Sequence, residues 1–185
     1  MRKMICVFLV MLILVGCGNS NDDLQRAMDI RAALQDKKVH FSAEITADYG
    51  DVCYTFAMDC DVEKDGSLDF TVTKPDTLSG IRGNISAVGG DLQFEDMILA
   101  FETMAEGRIC PVSSPWVMMK ALRSGFLIGC STEEDLLRIA VEDSYEDNAM
   151  RLDIWVDGNG YPVASDIYWD GRRLLSLTIT NFAIL

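Results

Sequence analysis

Cys17 is the residue of this chain best placed for chemistry. It follows Leu14-Val15-Gly16 at the end of an uncharged apolar run, residues 4–15, behind the basic pair Arg2 and Lys3. A thiolate forms a thioether readily, and a small residue such as Gly16 suits a peptidase that cuts at the next bond. The pattern predicts that residues 1–16 are a lipoprotein signal peptide, removed before Cys17, whose sulfur then carries a diacylglycerol. The run of 12 apolar residues fits a secretory h-region and falls short of the roughly 20 that span a bilayer. An ordinary secretory signal with a coincidental cysteine, or an uncleaved anchor, are the other readings. A lipid anchor holds the remainder on the outer face of a membrane, with residues 17–21 as lipidated cysteine and tether.

Other reactive residue types give weaker patterns. His40 is the single histidine of the chain, too little for a Ser-His-Asp or Cys-His site without a hydroxyl or thiol partner nearby. Its phase is opposite to Phe41 on an alternating segment, which reads as an exposed or edge position. Cys6 leaves with the leader. Cys53, Cys60, Cys110 and Cys130 remain, an even number in an exported domain, which allows two disulfides in three connectivities. Cys53 and Cys60 are an odd number of residues apart on one segment and face opposite ways. Cys110–Cys130 would bracket a helix and is easier to bridge; buried free thiols are the alternative. With no CxxC and one histidine, no metal site is expected. The acidic groups Asp143-Glu146-Asp147 and Asp157-Asn159 read as hairpin tips, since neither follows a twelve-residue calcium loop with its closing Glu. Gly80-Ile81-Arg82-Gly83 and Gly89-Gly90 are not phosphate loops. No catalytic residue, metal or cofactor is expected beyond the covalent diacylglycerol on Cys17.

Composition narrows the partners. Cleavage after residue 16 leaves 169 of the 185 residues, and the leader takes two of the 16 basic residues and none of the 29 acidic ones. The remainder carries 14 basic against 29 acidic residues, a formal charge of −15. Nucleic-acid binding needs clustered Lys and Arg and is excluded on this ground. The length predicts one domain, residues 22–185, able to bury a real core.

The elements follow from periodicity. Leu24, Ala27, Met28, Ile30, Ala33 and Leu34 recur at helical spacing and predict a helix over 22–37. Alternation then predicts strands over 39–49, 52–62, 67–73, 81–88, 92–94 and 98–101, with turns at Gly50-Asp51, Lys64-Asp65-Gly66 and Gly89-Gly90. Ser113-Ser114-Pro115 starts a second helix that runs to Gly125, with Pro in the first turn. Strand texture resumes at Thr132, and Asp157-Gly158-Asn159-Gly160 and Asp170-Gly171 are hairpin signals. About nine strands with segregated helices mean α+β.

Three motifs add a family resemblance. The turn Lys74-Pro75-Asp76-Thr77-Leu78-Ser79-Gly80 and the closing hairpins around Gly160-Tyr161-Pro162-Val163 and Asp166-Ile167-Tyr168-Trp169-Asp170-Gly171, ending in Thr180-Asn181-Phe182, resemble the lipoprotein-carrier-like, or lipoprotein-sorting, superfamily. The chain is similar to its lipid-anchored versions, including germination-linked lipoproteins of spore formers. The resemblance implies a strongly curved antiparallel sheet, an incomplete barrel, with helices covering the concave face. It also implies an acyl ligand or an exported partner protein held in that concavity. A tethered chain departs from a soluble shuttle, which leaves local binding or service as an envelope scaffold that stabilises a cell-wall enzyme. Phe94, Met97, Phe101, Met104, Trp116, Met119 and Phe126 are the groove candidates, because methionine and aromatic surfaces accept varied apolar shapes. A filled core has the same composition.

Overall fold

The computed structural model describes residues 19–102, 104–105, 108–146 and 149–185. Cys17 and residues 1–16 lie outside them. Helix α1 is Asn19–Leu34, starting and ending three residues before the predicted bounds, so residues 19–21 of the expected tether are helical. Its buried stripe is Ala27, Ile30 and Leu34, while Leu24 and Met28 are exposed.

Among the described residues thirteen strands follow this helix. The first wing is a meander of β1 (Val39–Asp48), β2 (Cys53–Val62), β3 (Leu68–Lys74), β4 (Arg82–Ser86), β5 (Gly89–Phe94) and β6 (Met97–Phe101). The short strands β7 (Met104–Ala105) and β8 (Arg108–Ile109) pair with each other, and a 3-10 turn, Pro111–Ser113, leads into helix α2, Ser114–Ser124. The second wing is β9 (Phe126–Glu133), β10 (Leu136–Glu142), β11 (Arg151–Val156), β12 (Pro162–Trp169) and β13 (Arg172–Ile184). Strand β13 pairs antiparallel with β1 and joins the wings. The result is an open, antiparallel sheet of 11 strands in the order β6-β5-β4-β3-β2-β1-β13-β12-β11-β10-β9, rather than about nine.

Strand β9 was not expected before Thr132. Gly129 and the uneven exposure of its residues remove the alternation that marks a strand, and it lies at the sheet edge, where one neighbour suffices. Helix α1 covers this edge. The Asp23 carboxylate accepts from the Thr132 amide and hydroxyl at 3.2 and 2.8 Å. Arg31 donates to the carbonyls of Arg123 and Gly125, 3.3 and 2.8 Å away, and so caps the C-terminus of α2.

Alternation sends Val39, Phe41, Ala43, Ile45 and Ala47 of β1 to one face, all essentially inaccessible. The same face collects Met58, Cys60, Leu68 and Phe70 from one wing and Ile139, Leu152 and Ile154 from the other. Helix α2 is buried on nearly every side, with only Lys120 and Ser124 exposed, as expected of a helix that fills a core. The sheet wraps around it. Ala87, beside β4, and Asp143, beside β10, line one cavity although β4 and β10 are seven strand positions apart. A flat sheet would separate them by about 34 Å.

The opposite face is polar and internally paired. Asp153, 5% exposed at its side chain, bonds Arg138 at 2.8 Å and Arg151 at 3.3 Å. His40 Nδ1 lies 3.0 Å from Asp61 across β1 and β2. Cys53, Cys60, Cys110 and Cys130 are all free thiols, which decides the open disulfide question: Cys53 is exposed and Cys60 buried, as their spacing requires, and Cys110 and Cys130 are not bridged. Burial pushes the Cys60 thiol well above its ordinary range, with Asp59 and Asp61 adding to the effect.

Candidate functional site

Helix α2 carries Trp116, Met119, Lys120 and Arg123 at i, i+3, i+4 and i+7, which places them on one face. That face meets the β2–β3 turn. The Trp116 indole donates to the Gly66 carbonyl at 2.9 Å, a turn made possible by Gly66 at φ +86°. Between this face, the β2–β3 turn and the β4–β5 turn lies a cleft of about 500 Å³. Val62, Trp116 and Met119 form its apolar floor, with Ala87 and the fully exposed Val88 at the rim.

Cations surround the cleft. Lys64, Lys120 and Arg123 line it, against Asp36 and Asp65. The Lys120 ammonium sits 5.0 Å from the centre of the Trp116 ring, a cation–π contact. Asp65 accepts from the Ser67 amide at 3.0 Å and its hydroxyl at 2.7 Å, and these bonds hold its carboxyl below the usual range. Arg123 is 7% exposed. Its terminal nitrogens donate to the carbonyls of Glu63, at 3.2 Å, and Lys37, fastening α2 to both the β2–β3 turn and the segment before β1. Burial lowers its pKa, partly opposed by Asp36.

A second cavity of about 180 Å³ adjoins the first and shares Ala87, Trp116, Lys120 and Ser124 with it. Val117, Ala121 and Met150 give it an apolar wall. These two spaces lie side by side along one flank of α2, while its other flank packs into a closed core.

The sequence-derived groove residues separate accordingly. Trp116 and Met119 line the large cleft. Phe94 and Met97 flank the β5–β6 hairpin, 41% and 58% exposed, away from it. Phe101 packs on the core over Gly90, where an added Cβ would meet its ring at 2.5 Å. Phe126 begins β9 and meets the Tyr145 ring at a tilt of 37°, with ring centres 3.7 Å apart. Met104 falls in β7, and its side chain lies outside the described residues. Sequence reasoning missed Lys64, Lys120 and Arg123 as site residues. The spacing of 116, 119, 120 and 123 was the available signal, a charged pair on an otherwise apolar helix face.

Further depressions of about 370, 420 and 410 Å³ lie away from α2. Asp59, Asp61, Asp69 and Asp91 line a shallow polar hollow with Arg82 and Asn84, but Ser42 bonds Asp59 at 2.7 Å and Asn84 bonds Asp69 at 2.7 Å. Asp157 accepts from the amides of Asn159 and Tyr161 and closes its own hairpin. Among the described residues no cluster of three or more His, Cys, Asp or Glu is arranged to hold a metal ion, and no helix is long and apolar enough to cross a membrane.

No family model and no curated protein matches the sequence. Solved structures do. An outer membrane lipoprotein-sorting protein domain from Vibrio parahaemolyticus aligns over 90% of this chain and 93% of its own, with a TM-score of 0.50 at 10% identity. A LolA superfamily protein from Nitrosomonas europaea aligns over 91% and 94%, with a TM-score of 0.46 at 10% identity. The Mycobacterium tuberculosis lipoprotein LppX aligns over 87% and 93%, with a TM-score of 0.42 at 16% identity. At such identities the shared property is the fold alone, and this chain has the fold of the Vibrio parahaemolyticus domain.

Proposed function

We propose that this chain is an extracytoplasmic lipoprotein, anchored through diacylglycerol on Cys17, whose carrier-like domain binds an apolar or lipid ligand beside helix α2 without catalysing a reaction. The observation that carries the reading is the cleft of about 500 Å³ floored by Val62, Trp116 and Met119. Sites for small amphiphiles are concave and largely apolar, with a few convergent polar groups, and this cleft has that make-up. A closed core around the rest of α2 gives the wall rigidity. The leader pattern before Cys17 supports an address outside the cytoplasm. The acidic body disfavours flat docking on anionic lipid, so attachment rests on the anchor.

Native mass spectrometry of protein purified without detergent tests the reading. Co-purifying lipid that is lost when the cleft is filled by Ala87→Trp supports it. Protein that emerges free of lipid and takes up none on incubation with extracted membrane lipids refutes it.

One observation favours a second reading, an envelope or germination accessory scaffold that stabilises a cell-wall enzyme by direct contact. Strand β6 is an uncovered edge whose Met97, Ile98 and Leu99 are 58%, 70% and 61% exposed, and such an edge offers unpaired backbone groups to a partner strand. Capture of one stoichiometric exported protein, abolished by Ile98→Lys and unaffected by Ala87→Trp, would favour this reading over the first.

A further inference from the structure

The charge of the cleft is opposite to that of the molecule. The chain as a whole carries a formal −13, yet three cations and two carboxylates line this one space. Asp65 is committed to its own turn through Ser67. None of the ion pairs among the described residues involves Lys64, Lys120 or Arg123. Arg123 is the most telling of the three. It is buried, its Nη1 and Nη2 donate only to neutral carbonyls, its Nε has no hydrogen-bond partner among the described residues, and the nearby Asp36 acts on it without forming an ion pair. A buried guanidinium without a direct ion pair is costly, and guanidinium recognises carboxylate and phosphate better than any other anion-binding side chain.

We propose that the cleft takes an amphiphile with an anionic head, a carboxylate or phosphate on an alkyl chain, with the head among Lys64, Lys120 and Arg123 and the chain along Trp116. This rests on the reading of the cleft as a ligand site and names the ligand class. The head gives Arg123 the direct ion pair that Asp36, acting from a distance, does not. Lys64 and Lys120, both exposed, close over it from the β2–β3 turn and from α2. The chain runs over Val62, Trp116 and Met119 and continues into the adjoining cavity walled by Val117, Ala121 and Met150. The two spaces, about 500 and 180 Å³, together fall within the range that holds a small amphiphile.

The test is calorimetric titration of the purified protein with dodecanoate, dodecyl phosphate, dodecanol and inorganic phosphate, each below its aggregation limit. The proteins compared are the wild type and Lys64→Gln/Lys120→Gln. Arg123 fastens three segments and is left intact, because its replacement threatens the fold. The two charged amphiphiles should bind at least about tenfold more tightly than dodecanol, and the double variant should lose about tenfold for them and less than about twofold for dodecanol. Equal binding of dodecanol and dodecanoate, unchanged by the double variant, overturns the charged head while leaving an apolar site standing. Inorganic phosphate binding as tightly as dodecyl phosphate overturns the amphiphile, since the chain then contributes nothing. Binding of none of the four overturns this proposal and the ligand-site reading together.

Discussion

Replacing Trp116 separates a wall from a core. The indole is 7% exposed, donates to the Gly66 carbonyl at 2.9 Å, and borders a cleft of about 500 Å³. Deleting a buried Trp side chain costs about 3–5 kcal/mol. Here one side of the ring already faces open space, so fewer contacts are lost and the lower end, about 3 kcal/mol, is expected for Trp116→Ala. About 1 kcal/mol of that is the hydrogen bond to Gly66, which Trp116→Phe removes together with part of the ring's contacts. In a domain of this size about 3 kcal/mol lowers Tm by roughly 6–12 °C. The assay is urea unfolding followed by far-UV circular dichroism, in which the midpoint should fall while the slope stays constant. Repeating it with ligand at about 100 times its Kd adds about 2.7 kcal/mol to the wild type and much less to Trp116→Ala. A cost below about 1 kcal/mol would mean that the indole is not held between α2 and the β2–β3 turn. Full retention of the ligand-induced gain would mean that the cleft is not the site.

Other expectations follow from particular contacts. Cys53 should react with a thiol reagent within seconds in the native protein, whereas Cys60 should react only on unfolding; a protected Cys53, or a rapidly labelled Cys60, would contradict their placement. Because burial raises the Cys60 pKa, the unfolded chain releases this proton first as pH rises. Folding stability is therefore fully present below the ordinary thiol value near 9.0 and declines above it, a slope that Cys60→Ala should reduce in pH-dependent urea titrations. Gly83→Ala would bring a Cβ within 2.1 Å of the Asp91 carbonyl and 2.6 Å of the Phe70 ring. It should cost about 1–3 kcal/mol and speed amide exchange in β4 and β5 before other strands. Cys17→Ser should release the protein to the medium or leave it with an uncut leader, whereas unchanged membrane retention of a shortened chain would remove the lipid anchor from the reading.

Much of the architecture was legible because it is local. Val39 to Asp48 alternates so regularly that its buried face could be read off residue by residue. The β12–β13 turn announced itself through Asp170-Gly171, which sit at φ 49° and 71° as a tight hairpin demands. Pro115 marked the first turn of α2. Strand β9 escaped because Gly129 and a mixed exposure erase the period of two, and an edge strand under a helix needs no apolar face of its own. Helix α1 was placed three residues too late because Lys37 and Lys38 look like a helix end, whereas the chain leaves the helix at Leu34.

The cleft was not legible in the same way. Its floor joins Trp116 to Gly66 across 50 residues and Arg123 to Lys37 across 86. Sequence alone determined which residues are apolar, which strands alternate, and that Trp116, Met119, Lys120 and Arg123 share one helix face. Only the wrapping of the sheet decided that this face borders a cleft, that Phe94 and Met97 lie away from it, and that Arg123 is buried without an ion pair. Periodicity is set by neighbours a few residues away, whereas exposure is set by whatever distant turn folds over them, and no local pattern encodes that.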